Sequence, residues 1–264
     1  SENVYAATST QVSIASGRLA FTLGTQGPCA SIDTACSSAL VALDAAALSL
    51  RTCDNALVAA ANLLLQPFVS LLFARAGMLS VDGRCKTFDA HANGYVRGEG
   101  VGAAALGAGV AKLTLGGCAV RADGKSASLT APNGTAQACM LRAALVAAGN
   151  VQLRLVEAHG TGTPLGDPTE VSALERVFGN VGLCVGGVKA NLGHAEPVAG
   201  LAGLLALVAL MAQGTHRVNA QLRELNPLLQ TPLSMLRASV HTQCLRVGVD
   251  AAGGVSSFGY SGTI

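Results

Sequence analysis

The sequence predicts an α/β fold made of two similar halves, and three observations predict it. The order strand, polar turn, long Ala/Leu-rich helix occurs twice, once around Cys36 and again around His194. Apolar runs of strand length, such as Ala56 to Leu65, suit a parallel sheet buried on both faces. Half of the 264 residues are hydrophobic, yet aromatics make up 3%, Trp is absent and Gly reaches 32. Ala, Gly, Val and Leu must therefore build the core, which requires closely approaching helices and strands. Two halves that each deliver a turn at a strand end would set Cys36 and His194 face to face, where ligand sites of α/β folds gather.

Taken in order, Gln11 to Leu23 reads as a helix ending near Gly24, and Cys29 to Asp33 as a short strand. The stretch from Ser31 to Leu50 then turns at Cys36 into a helix with only Asp44 among small and apolar residues, so burial nearly all round is expected. After the Ala56 to Leu65 strand, Phe68 to Ala76 is a short helix stopped by Gly77, and Val81 to Asn93 a polar loop. Gly98 to Leu115 alternates Gly, Ala and Val and should form paired strands. Thr135 to Ala148 is a helix, Leu153 to Glu157 a strand, Glu170 to Phe178 a helix and Val185 to Lys189 a strand. Pro197 to Ala212 is the second buried helix; the tail, through Val240 and Gly253 to Phe258, reads as short strands and turns.

The charge balance narrows the function classes. A net charge of +2 with both signs interspersed offers no basic stripe for nucleic acid and no polybasic membrane patch. Pro197 to Thr215 carries no formal Asp, Glu, Lys or Arg charge and is nearly long enough to span a bilayer, but Ala, Gly and Leu after a polar His-bearing loop fit a buried core helix better. The eight cysteines show no C-x-x-C pair and no metal-ligand spacing with histidine, which suits a reducing compartment. The sequon Asn133-Gly134-Thr135 is read as chance, and the close glycines Gly98, Gly100 and Gly102 as strand packing, because their spacing is not G-x-G-x-x-G. With no initiating Met or leader before Ser1-Glu2-Asn3, the chain reads as opening mid-protein.

Cys36 is the candidate nucleophile. A cysteine at the start of a helix faces unpaired N–H groups and the positive end of the macrodipole, which favour the thiolate that attacks carbonyl carbon. Cysteine is also among the most buried residue types, so the position alone does not decide. Two further loops do: V-E-A-H-G-T-G-T-P-L-G-D-P-T-E, Val156 to Glu170, and G-V-K-A-N-L-G-H, Gly187 to His194. Together with D-T-A-C-S-S around Cys36 they resemble the three active-site motifs of β-ketoacyl synthases, the decarboxylating condensing enzymes of the thiolase superfamily. R-A-G-M-L-S-V-D-G-R-C-K-T-F-D, G-Y-V-R-G-E-G, L-T-A-P-N-G and G-V-S-S-F-G make the chain most similar to the ketosynthase domain of type I polyketide synthases.

The resemblance implies a thiolase-like α/β fold with duplicated α/β/α/β/α layers and a partial first half: residues 1–150 the remainder of the N-terminal half, 151–264 the C-terminal half. It implies that Cys36 holds an acyl chain as a thioester while His159 and His194 stabilise the enolate formed as a malonyl unit loses CO₂. Lys189 would orient the histidines and set their protonation. Asp167 and Glu170 would pair with Lys189 or the loop, beyond favouring a helix N-terminus. Thr161 and Thr163 match positions that contact the phosphopantetheine arm. The N–H groups of Cys36 and Phe258 would form the oxyanion hole, Phe258 acting as a gate beside Gly259. His91, His216 and His241 are read as structural. The implied partners are an acyl carrier protein, acyl and malonyl thioesters and a second copy, the homodimer pairing through Cys29 to Asp33. No metal or cofactor is expected on the chain, since phosphopantetheine belongs to the carrier protein; the expected location is cytoplasmic, or plastid. An alternative is a non-elongating module that binds carrier protein without condensing; a thiolase or chalcone-synthase-like enzyme would lack this histidine pair. Against relatives, an N-terminal segment is missing, Leu106 to Val120 looks short, Lys189-Ala190-Asn191 replaces K-T-N, and F-G-Y-S-G-T-I replaces F-G-F-G-G-T-N. The chain is therefore expected to be a fragment of a longer synthase.

Overall fold

Leu153–Glu157, Cys184–Gly186 and Ala252–Val255 form the parallel sheet on which the rest is built, with Leu153–Glu157 in the middle. The computed structural model describes residues 6, 8, 11–109, 113–216, 218–246 and 252–264, so the opening Ser1-Glu2-Asn3 lies outside them. In chain order the elements are α1 (Ser13–Leu23), a 3₁₀ turn (Ala35–Ser37), α2 (Ser38–Ser49), β1 (Asn55–Asn62), α3 (Pro67–Arg75) and β2 (Gly100–Gly107). There follow α4 (Gly134–Ala147), β3 (Leu153–Glu157), α5 (Gly166–Phe178), β4 (Cys184–Gly186), the one-turn α6 (Lys189–Leu192) and a 3₁₀ turn (Glu196–Val198). Last come α7 (Ala199–Gln213), β5 (Thr215–His216), α8 (Pro227–Leu236), β6 (Leu245–Arg246) and β7 (Ala252–Val255).

Successive residues of β3 point to opposite faces, so the strand feeds two cores. Val156 packs with Phe88, Leu174, Val185 and Leu229 under α5 and α8, while Leu155 packs with Leu207 and Leu210 of α7. Helix α7 in turn lies against α2, and α2 against β1. The described residues thus stack as outer helices, parallel sheet, the inner pair α2 and α7, and the β1–β2 sheet. The inner pair is close-packed because glycine allows it: a Cβ on Gly200 would sit 2.6 Å from Leu40 Cγ. Gly98, Gly100 and Gly102 serve the same end, since added Cβ atoms would meet Leu192 O, Ala195 Cβ and Leu201 Cδ2. Strand packing is thus what these glycines do.

Several sequence expectations change. Cys29 to Asp33 forms no strand and is largely exposed, because among the described residues no neighbouring strand pairs with it. β1 is not doubly buried in a parallel sheet; it pairs antiparallel with β2, and Leu57 and Val101 stay exposed. Gly98 to Leu115 yields one strand whose partner is β1, and residues 110–112 lie outside the described set. Helix α2 is buried on one face only, at Ser38, Ala39 and Leu43, since nothing described covers the face bearing Leu48. Val185 to Lys189 is strand only to Gly186, and Lys189 opens α6. α5 begins four residues early, at Gly166, whose N–H donates to Thr163 Oγ1 at 3.1 Å. α8 has no counterpart in the sequence reading; Pro227 sits at its first helical position after Asn226, which caps Leu228 N–H.

The Glu196–Gln213 stretch, apolar and long enough to cross a membrane by composition, buries Leu201, Leu207 and Leu210 between the sheet and α2. Asn133 of the sequon caps α4 and donates Nδ2–H to Asp123 O at 2.7 Å, so its amide is engaged.

Leu174, fully buried under the parallel sheet, sets the expected stability response. Leu174→Ala should lower unfolding free energy by about 3 kcal/mol in urea titration. Leu129→Ala at an exposed site should stay within roughly 0.5 kcal/mol.

Candidate active site

Three loops leave the carboxyl ends of β3, β4 and β7 and converge on the turn before α2. β3 ends at Glu157 and delivers His159; β4 ends at Gly186 and delivers Lys189 and then His194; β7 ends at Val255 and delivers Ser257 and Phe258. Ser257 Oγ–H donates to Cys36 O at 2.5 Å, tying the last loop to the first turn across 221 residues. The Cys36 turn is self-braced. Ala35 takes a left-handed φ of 57°, its N–H held by Asp33 Oδ1, while Ser38 Oγ accepts from Thr34 N–H and donates to Ala35 O.

The result is a triad of side chains. His194 Nε2 stands 3.0 Å from Cys36 Sγ, and the His159 and His194 rings lie 5.6 Å apart, edge to face. Each imidazole accepts a backbone N–H at Nδ1: His194 from Glu196 at 3.2 Å, His159 from Phe258 at 3.3 Å. Those bonds place the remaining proton on Nε2 of both rings. The site therefore holds two N–H donors beside a buried sulfur.

Electrostatics keeps both donors neutral. Burial holds both histidines well below their ordinary range, and the Lys189 charge presses the same way. Lys189 is itself buried, and its Nζ donates to His159 O. Burial draws its pKa down while the charges of Glu157 and Glu170 push back up. Of the two partners expected for Asp167 and Glu170, Lys189 or the loop, the loop is the one they bond directly. Glu170 accepts from His159 N–H at 2.7 Å and Gly160 N–H at 2.9 Å, and Asp167 from Phe88 N–H at 2.8 Å and Gly162 N–H at 3.1 Å. Burial raises these carboxyls, Glu170 to about 7 and Asp167 to about 6, against those hydrogen bonds.

The thiolate expectation for Cys36 is reversed in the resting site. Burial pushes the thiol up to about 11, outweighing the Lys189 charge and the N–H groups of Tyr260 and of Cys36 itself. A helix terminus carries only a partial charge, and loss of water costs the anion more. The Phe258 N–H, expected to face the acyl oxygen, points instead to His159 Nδ1, and Tyr260 supplies a second backbone N–H facing the Cys36 sulfur. Gly259 is required by crowding, as an added Cβ would meet Ser37 Oγ and Thr263 O at 3.0 Å. Thr161 and Thr163 hydroxyls lie 3.2 Å apart beside the His159 loop. His91 pairs with Asp89, and His241 with Ser239.

Four participants escape the sequence reading. Glu157 accepts Val188 N–H at 2.5 Å and is raised to about 7 by burial; an acid ending an apolar strand was the available signal. Thr87, fully buried, wedges against Gly160 and Gly187, where an added Cβ would meet its methyl at 2.7 and 2.6 Å. Arg97 and Glu196 form an ion pair behind His194, between residues far apart in sequence. An apolar groove of about 390 Å³ between α1, α2 and β1 lies beside the turn but is not lined by Cys36. Among the described residues no cluster of His, Cys, Asp and Glu could hold a metal ion.

Comparison with known proteins fits this geometry. The family model for the β-ketoacyl synthase N-terminal domain matches residues 1–109, and that for its C-terminal domain residues 113–223. A phenolphthiocerol/phthiocerol polyketide synthase polypeptide of Mycobacterium tuberculosis is 44% identical over 99% of this chain and 13% of its own length. Prosolanapyrone synthase of Alternaria solani is 35% identical over 98% of this chain and 10% of its own. Among solved structures, the ketosynthase from module 6 of the bacillaene synthase of Bacillus subtilis 168 superposes with a TM-score of 0.86 at 34% identity, covering 96% of this chain and 49% of that one. The oxazolomycin ketosynthase domain of Streptomyces albus JA3453 gives a TM-score of 0.90 at 30% identity, over 97% and 48%. The chain thus spans a small part of the curated relatives and about half of the solved ketosynthase chains, and its fold is the thiolase-like α/β fold.

Alkylation of Cys36 by iodoacetamide, followed by peptide mass spectrometry, reads the raised thiol. The rate should climb about tenfold per pH unit from 7 to 10 without a plateau.

Proposed function

The chain belongs to the β-ketoacyl synthase family, and from that premise we propose that it performs the carbon–carbon condensing step of a type I polyketide synthase. The observation that carries the reading is a buried Cys36 sulfur facing the Nε2–H of one imidazole, with a second imidazole in edge contact. In the first half-reaction Cys36 attacks an acyl thioester on a carrier thiol; the C–S bond to the carrier breaks, and the Cys36 proton ends on the released carrier thiol. Deprotonation is coupled to transfer, because the resting thiol is held at about 11. In the second, a malonyl thioester loses CO₂ and the electron pair moves onto its thioester oxygen. His159 and His194 donate Nε2–H to that oxygen, each ring held in place by the backbone N–H its Nδ1 accepts, a bond that protonation of Nδ1 would break. The carbanion attacks the acyl carbonyl on Cys36, the sulfur leaves as a thiolate that takes a proton from solvent to restore the thiol, and a β-ketoacyl thioester two carbons longer remains on the carrier.

Lys189 serves this scheme by keeping both imidazoles uncharged, and Glu157, Asp167 and Glu170 hold Lys189 and the His159 loop in place. The Cys36 N–H is assigned to the acyl oxyanion together with that of Tyr260, since the Phe258 N–H is taken by His159 Nδ1; Phe258 is assigned to the gate and Thr161 and Thr163 to the phosphopantetheine arm. The partners in this reading are an acyl carrier protein that brings the phosphopantetheine and a second copy of the chain, within the cytoplasm. Relatives from bacteria and a fungus give a plastid location no support.

Mass spectrometry of the chain after incubation with an acyl thioester tests the reading. An adduct on Cys36 that Cys36→Ala abolishes, and that malonyl carrier protein discharges as a β-ketoacyl product, is expected; a folded chain that never acquires it would overturn it. Lys189→Met gives the pH test. Removing a charge that depresses both histidines raises their pKa, so more imidazole is protonated at a given acidic pH, and the acid-side loss of condensation should move to higher pH.

A further inference from the structure

His194 is held by more than the atoms that face Cys36. Its N–H donates to Val96 O at 2.8 Å and its carbonyl accepts Gly98 N–H at 2.9 Å, so its backbone is stitched to both sides of Arg97. The Arg97 side chain is 8% exposed and forks onto Glu196, two residues past His194: Nη2 donates to Oε2 at 3.0 Å and Nε to Oε1. Its Nη1 donates to Ser70 Oγ at 2.8 Å, and its guanidinium stands 5.3 Å from the Phe73 ring centre. Glu196 has φ of +46°, a left-handed conformation that a non-glycine residue holds only when its surroundings impose it. That conformation delivers the Glu196 N–H to His194 Nδ1.

We infer that the Arg97–Glu196 pair is a positioning device: it holds the left-handed Glu196 backbone against His194 and so keeps the His194 proton on Nε2, the atom facing Cys36. The inference rests on the reading of Cys36 and His194 as the working pair. A neutral imidazole carries one proton and can place it on either nitrogen. With Nδ1 occupied as an acceptor, the proton stays on Nε2. Were Glu196 to relax to a right-handed φ, its N–H would leave Nδ1 and His194 could present a bare Nε2, which gives nothing to a sulfur anion or an enolate oxygen. A packing role alone would not require a forked ion pair at a strained residue.

The test is a long-range proton–nitrogen correlation spectrum of the full chain labelled with ¹⁵N-histidine, read together with the Cys36 alkylation rate. His194 in the unaltered chain should show only the Nε2-protonated form. Arg97→Gln should convert it to a mixture and slow alkylation about tenfold, and Arg97→Lys, which keeps charge but not the fork, should fall between. His159, whose Nδ1 accepts from Phe258, should keep its signal and so report an intact fold. An unchanged His194 tautomer and rate in Arg97→Gln would overturn the inference. If that variant does not fold, Glu196→Gln decides, because it removes the ion pair while keeping a non-glycine residue at the left-handed φ: a mixed tautomer supports the device and a single one overturns it. Failure of Cys36 to take an acyl group in the unaltered chain would sink the condensing reading while leaving this spectrum readable.

Discussion

Cys36 Sγ and His194 Nε2 meet at 3.0 Å across 158 residues of chain, and the rest of the structure is arranged so that they can. Cys36 sits on a 3₁₀ turn ahead of α2, and His194 between α6 and the 3₁₀ turn ahead of α7. The two helices therefore have to pack side by side with their starts together. Gly200 permits this at Leu40, and Ser257 locks it from a third loop through Cys36 O. The parallel order of β4, β3 and β7 then explains why the loops that carry His159, His194 and Phe258 emerge on one edge.

Bringing these groups together also buries charge. Lys189, Glu157, Asp167 and Glu170 are all buried, and an isolated ion there would be strongly disfavoured. The fold answers with hydrogen bonds from backbone amides to each carboxylate, and with mutual attraction to Lys189. The sign of the linkage follows. Glu157 and Glu170, raised to about 7, favour the folded state at low pH, and that contribution is lost as pH rises through about 7. The depressed histidines act oppositely, their contribution being lost as pH falls below their ordinary 6.5.

Much of this was legible from residues alone. The repeated polar turn before a long Ala/Leu helix points to Cys36 and His194 meeting, although the strand expected before the first turn does not form, and the motif set around Cys36, His159, Lys189 and His194 converges in one site. What stayed hidden depends on partners distant in sequence. Nothing near Cys36 in sequence reveals how deeply it is buried, and this desolvation outweighs the helix N-terminus. Cys29 to Asp33 has strand composition, but a strand exists only where a neighbour pairs with it, and the composition of β1 does not say that its neighbour, β2, runs antiparallel. Arg97 and Glu196 lie 99 residues apart, and neither signals the other. α8 contains Pro232, which helix propensity alone disfavours, and it is held by Leu229, Leu233 and Leu236 buried in the core under the sheet.

The central claim is that two neutral imidazoles, not the sulfur, drive loss of CO₂. Release of labelled CO₂ from malonyl carrier protein by the Cys36→Ala chain tests it most directly, because that chain cannot complete a condensation. The expected result is continued release by Cys36→Ala and a fall of about a hundredfold or more in His159→Ala and His194→Ala. Release at the unaltered rate by folded histidine variants would contradict the claim.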